Sequence, residues 1–117
     1  MTDTPVVDPA AVDRLRRLGG ANLVRQMLEL YLARGPERLH ALMEGAEAGD
    51  ADRVERSAHT MKSSAGNVGA LRLQRTAEGL EAAAGAGVID HVMVERLMRE
   101  YQESAALLRG VLEEENR

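Results

Sequence analysis

The chain contains no cysteine, no tryptophan and no phenylalanine. Without cysteine there is no disulfide scaffold, no thiol nucleophile and no Cys-ligated zinc or iron–sulfur centre. Tyr31 and Tyr101 are the only aromatic side chains, too few for the stacking platforms that hold single-stranded nucleic acid. Acidic residues outnumber basic ones, 19 to 15, which opposes binding along a phosphate backbone. No apolar run approaches the roughly 18 residues of a membrane span. Met1-Thr2-Asp3-Thr4-Pro5 has no basic stretch leading into an apolar core, so it does not read as a signal peptide. The expected location is the cytoplasm, with neither nucleic acid nor membrane as partner.

What is present favours helix. The 117 residues suit one domain and are rich in Ala, Leu, Glu and Arg, the strong helix formers. No segment alternates apolar and polar for long, so the fold class is all-α. Residues 1–7 read as a flexible N-terminus, 8–113 as a four-helix bundle domain and 114–117 as a frayed C-terminal tail. Asp8-Pro9 is an N-cap followed by a proline at the first helical position, opening a short helix that Gly19-Gly20 stops. A long helix follows from about Ala21, with Gly35-Pro36 inside it, and is expected to kink at Pro36. Gly49-Asp50 ends it and caps the next helix.

In that next helix Val54, Ala58, Met61, Ala65 and Val68 form one apolar stripe. Gly69 ends it. Leu71, Leu73, Ala77, Leu80 and Ala84 mark a further helix up to Gly85-Ala86-Gly87, and Asp90 caps the last one. Four substantial amphipathic helices with short connections predict an antiparallel four-helix bundle, with the short N-terminal helix as an addition. A dimeric coiled coil fits less well, because the glycine breaks interrupt any long seam, and a monomer is expected.

Of the three histidines, His40, His59 and His91, His59 stands out by its face. At about 100° per residue it falls roughly 140° from the centre of the apolar stripe. It therefore projects to solvent from the middle of a packed helix, with Lys62 at the border of that outer sector and Glu55, Ser63 and Gly66 sharing it. Glycine inside a helix costs about 1 kcal/mol relative to alanine, so Gly66 points to a close approach on this face. No paired histidines suggest a metal site, and no glycine-rich phosphate loop is present.

The run Ala58-His59-Thr60-Met61-Lys62-Ser63-Ser64-Ala65-Gly66-Asn67-Val68-Gly69-Ala70 resembles the signature of histidine-containing phosphotransfer (HPt) domains. That signature is roughly Ala-His-x-apolar-Lys-Gly-small-small-x-x-apolar-Gly-Ala, and the helical layout around it is similar over nearly the whole chain. The resemblance implies a phosphoryl carrier of a two-component phosphorelay, with no ATP site and no autokinase activity. It implies His59 as phosphoryl acceptor and donor and Lys62 as the charge beside the phosphoryl group. Glu81 occupies a position where the family commonly has Gln or Glu near the active imidazole, so its carboxylate is expected to orient the ring, and Gly69 matches the glycine between the two central helices. Ser63 stands where the family usually has glycine; with Gly66 and Glu55 it belongs to the implied docking face. The implied partners are response-regulator receiver domains, which would bring the Mg²⁺, and a hybrid histidine kinase. Two other readings remain open at this level: a helical adaptor or dimerisation module with an incidental His59, and the phosphotransfer segment of a larger histidine kinase.

Overall fold

A computed structural model describes residues 4–117. Four helices follow one another: α1 (Pro9–Glu47), α2 (Ala51–Val68), α3 (Leu71–Gly85) and α4 (His91–Glu115). Three of their starts are aspartate caps, each accepting from a backbone N–H of the first turn: Asp8 from Ala10, Asp50 from Arg53 and Asp90 from Met93. Such caps satisfy donors that have no partner inside the helix.

α1 contains the short N-terminal helix and the long one as a single element with a break. The break lies where glycine allows it. Gly19 and Gly20 leave helical geometry, Gly20 at φ 69°. The kink expected at Pro36 is displaced to this glycine pair, and the helix runs on through the proline. The reason lies in its surroundings. Proline removes the N–H that would pair with the carbonyl four residues earlier, that of Leu32. The Tyr101 hydroxyl from α4 donates to the carbonyls of Tyr31 and Leu32, at 3.2 and 3.4 Å. Gly35 makes room for the ring: a Cβ there would lie 2.1 Å from Tyr101 Cζ.

The helices neighbour one another in a ring, α1 with α2, α2 with α3, α3 with α4 and α4 with α1, and no Cα atoms of the diagonal pairs come within 8 Å of each other. This is the four-helix bundle. Its centre is filled by Val24, Leu28, Leu42, Val54, Leu73, Leu80, Leu97 and Leu108, all fully buried, with Ala58, Ala65, Ala77 and Ala105 letting the helices approach. One polar knot crosses the α1–α4 seam. Tyr31 and Tyr101 pack at 5.3 Å between ring centres, and the Tyr31 hydroxyl bonds the buried Ser104 hydroxyl at 2.8 Å. Ser104 donates in turn to the Tyr101 carbonyl, so each of these buried hydroxyls has a partner.

Both chain ends are tied down further than the sequence suggests. Of the expected flexible tip, residues 1–3 lie outside the described residues. Thr4 is buried, and its carbonyl and hydroxyl accept from Arg72 and Arg75 of α3. At the other end α4 runs into the expected tail as far as Glu115. The Glu115 carboxylate pairs with Arg16 and its carbonyl accepts from Arg25.

The α2–α3 turn is locked to the start of α1. Gly69 has φ 77°, and its carbonyl accepts the Asp8 N–H at 2.8 Å. A Cβ on Gly69 would lie 2.5 Å from Ala11 Cβ and 2.8 Å from the Asp8 carbonyl oxygen. Gly69→Ala combines left-handed strain with overpacking against backbone. It is expected to cost about 2–4 kcal/mol, read as a lowered midpoint in urea unfolding with an unchanged slope.

Candidate functional site

α2 and α3 form an antiparallel pair around the Gly69-Ala70 turn, and that register sets which side chains meet. Residues equally far from the turn face each other: Glu55 reaches Gly85, His59 reaches Glu81, and Gly66 lies under Gln74. The apolar stripe of α2 faces the core, which turns His59 outward. Its side chain is 61% exposed.

Glu81 is the centre of the arrangement. Its Oε2 lies 2.6 Å from His59 Nδ1, and its Oε1 accepts from Lys62 Nζ, also at 2.6 Å. The Lys62 hydrogen bond, with a smaller contribution from His59, holds the Glu81 carboxyl below the ordinary carboxylate range. Glu81 in turn raises Lys62. Near neutral pH Glu81 is therefore an ionised, acceptor-only group. It follows that Nδ1 of His59 carries the proton and donates it, which leaves the Nε2 lone pair of the neutral ring free. Lys62 is itself only partly exposed, and Glu78 adds a second negative charge near it.

The other residues singled out from the sequence divide. Ser63 is exposed one turn from His59. Gly66 has a neighbour inside the molecule: a Cβ there would meet Gln74 Nε2 at 2.9 Å. The close approach that Gly66 suggested is thus made by α3. The Glu55 carboxylate packs beside Gly85, where a Cβ would lie 2.8 Å from Oε2. Gly69 sits in the α2–α3 turn. Sequence reasoning missed Gln74 and Glu78. Both were open to it, since they follow from the hairpin register once Glu81 is placed opposite His59.

His40 and His91 have different surroundings. His40 is exposed and pairs with Glu44 of its own helix at 3.5 Å. His91 is the exposed first residue of α4. Only His59 combines exposure with a carboxylate from a second helix and a lysine on that same carboxylate. Among the described residues no three His, Cys, Asp or Glu side chains are grouped to hold a metal ion, and no helix is long and apolar enough to cross a membrane.

The family described as Hpt domain matches residues 26–114. The chain belongs to the Hpt-domain family. Hpt domains are phosphotransfer carriers that interact with response-regulator receiver domains. The matched span holds all of the residues discussed around His59 and begins after the Gly19–Gly20 break. The fold is similar to the crystal structure of histidine-containing phosphotransfer protein B (HptB) from Pseudomonas aeruginosa PAO1. The TM-score is 0.88 at 24% identity, over 96% of this chain and 98% of that one. No curated protein matches the chain in sequence.

Proposed function

We propose that this Hpt domain is a phosphorelay carrier in which His59 takes a phosphoryl group from a receiver-domain aspartate and passes it to another. The observation that carries the proposal is the Glu81 bridge, which joins the His59 ring and the Lys62 ammonium in one exposed cluster. Nε2 attacks the phosphorus of the aspartyl phosphate in line. The Nε2–P bond forms as the P–O bond to aspartate breaks, and the aspartate leaves as a carboxylate. The ring becomes cationic, and the Glu81 carboxylate on Nδ1–H offsets that charge where it develops. Lys62 lies one turn along α2 and faces the negative phosphoryl oxygens. The second transfer is the same step reversed.

The Mg²⁺ that neutralises charge in such a transfer comes from the receiver in this reading. The chain is a cytoplasmic monomer without autokinase activity, and a hybrid histidine kinase is a further partner. The test is incubation of the intact chain with phosphorylated receiver domains, followed by mapping of acid-labile phosphate. Phosphate on His59 is expected. Phosphate on His40 or His91, or no uptake from any receiver, overturns the assignment.

Glu81→Ala is expected to slow uptake about 10- to 100-fold, a range typical of losing one positioning contact, and to release the Nδ1-H tautomer in ¹⁵N spectra of the ring. The pH dependence has a definite sign. Because the Glu81 pKa is lowered in the folded state, its contribution to stability is complete above the ordinary carboxylate range. It is lost as pH falls through the lowered folded value. An unchanged ring tautomer in the variant removes Glu81 from the site.

Ser63→Trp tests the docking face better than a change at Gly66, because Gly66 is covered by Gln74 and a side chain there also disturbs α3. An indole at the exposed Ser63 is expected to hold a receiver off and reduce transfer by at least about a hundredfold, with the helical circular dichroism retained. A folded variant that transfers at the parental rate excludes approach across this face.

A further inference from the structure

Lys62 stands between two carboxylates of α3, and the hydrogen bond it makes is not the one the hairpin register offers. The register pairs residues equally far from Ala70: Glu55 with Gly85, His59 with Glu81, and Gly66 with Gln74. By the same register the residue opposite Lys62 is Glu78. The Lys62 ammonium reaches diagonally along α3 instead, to Glu81 at 2.6 Å. Glu78 stays exposed, one turn before Glu81. It acts on Lys62 through its charge alone, adding to the larger effect of the Glu81 hydrogen bond that raises the ammonium.

A phosphoryl group on His59 changes the demand on this cluster. It brings roughly two negative charges, and Lys62 is the cation that faces its oxygens in the carrier reading above. In binding them Lys62 divides between the phosphoryl group and the carboxylates of α3. Glu81 is compensated, because the ring on its other oxygen has become cationic. Glu78 has no such compensation. Its charge attracts the ammonium, an attraction that weakens as Lys62 turns to the phosphoryl oxygens. It also repels those oxygens, a repulsion that exists only when the phosphoryl group is present. Both effects have the same sign. Arg56, one turn before His59, lies on the α1 flank in a groove with Arg38, away from Glu78.

We propose that Glu78 sets how weakly the phosphoryl group is held on His59, tipping the equilibrium of the transfer toward the receiver aspartate. The proposal rests on the carrier reading of His59. The charges are exposed, so the expected effect is about two- to fivefold in the equilibrium constant. It fades with salt, as the screening length falls from about 10 Å at about 0.1 M to about 3 Å at about 1 M.

The test has two readouts on the intact chain. In the unphosphorylated protein the Lys62 Nζ signal is titrated by NMR. Glu78→Gln is expected to lower the Lys62 midpoint, by less than Glu81→Gln does. The parent and Glu78→Gln are then equilibrated with one phosphorylated receiver and Mg²⁺, and the phosphate on His59 and on the aspartate is measured. Glu78→Gln is expected to shift the partition about two- to fivefold toward phospho-His59, and Glu78→Lys further in the same direction, with both differences fading in high salt. Glu113→Gln removes the same charge from an exposed site in the last turn of α4, the helix diagonal to α2, and is expected to leave the partition unchanged. Circular dichroism is expected to stay parental in all these variants. An unmoved Lys62 midpoint in Glu78→Gln, an unmoved partition, or a shift that Glu113→Gln reproduces overturns the proposal. No phosphate on His59 from any receiver overturns the carrier reading and the proposal with it, a failure that the Lys62 readout distinguishes from a misplaced Glu78.

Discussion

His59→Gln is expected to abolish phosphoryl uptake while the bundle melts within about 0.5 kcal/mol of the parent, as exposed substitutions usually do. The side chain is 61% exposed and fills no part of the core. Its one side-chain hydrogen bond among the described residues is to the Glu81 carboxylate, and Lys62 stays on that carboxylate in the variant. Glutamine keeps a polar side chain of similar reach and has no nucleophilic nitrogen, since its amide lone pair is delocalised. The measurement is single-turnover transfer from a phosphorylated receiver, with thermal unfolding of the same sample. Persisting uptake in a folded variant places the phosphoryl group on another residue. Loss of uptake with loss of fold shows that His59 supports the structure.

Gly35→Ala is expected to destabilise the protein by about 3–5 kcal/mol, against the ordinary sign of this substitution. Inside a helix alanine is better than glycine by about 0.5–1 kcal/mol. At Gly35 the new methyl would coincide with the Tyr101 ring, 2.1 Å from both Cζ and the hydroxyl oxygen. The ring has to leave, and with it goes the donor that serves the Tyr31 and Leu32 carbonyls beside Pro36. Gly110→Ala in α4 is the control. It is exposed and nothing lies within 4 Å of its Cβ position, so the usual gain of up to about 1 kcal/mol is expected there. Tyr101→Phe isolates the hydrogen-bond part: it keeps the ring and removes the donor, for about 1–3 kcal/mol. Urea unfolding of the three variants separates the contributions. A neutral Gly35→Ala shows that α1 and α4 can slide apart without loss, and that Tyr101 does not carry the passage through Pro36.

These two variants also mark the line between local and tertiary information. The sequence by itself determined the helices. Asp8, Asp50 and Asp90 start them and Gly69 stops one, because capping and left-handed turns involve only neighbouring residues. It also determined that His59 points away from the core, since that depends only on helical spacing from the Val54–Val68 stripe. The Hpt-like run around His59 pointed to the family, and through it to Glu81, without any contact being known. Tertiary structure decided what these residues touch. Glu81 bridges His59 and Lys62 because the α2–α3 hairpin register places it there. Gly66 is occupied by Gln74, so its small size answers to α3. Thr4 and Glu115 are anchored by arginines distant in the chain, which no local propensity encodes. Pro36 gave a local expectation of a kink that packing overrode. A proline's missing hydrogen bond is local, but the Tyr101 hydroxyl that serves the freed carbonyl comes from a helix some seventy residues away.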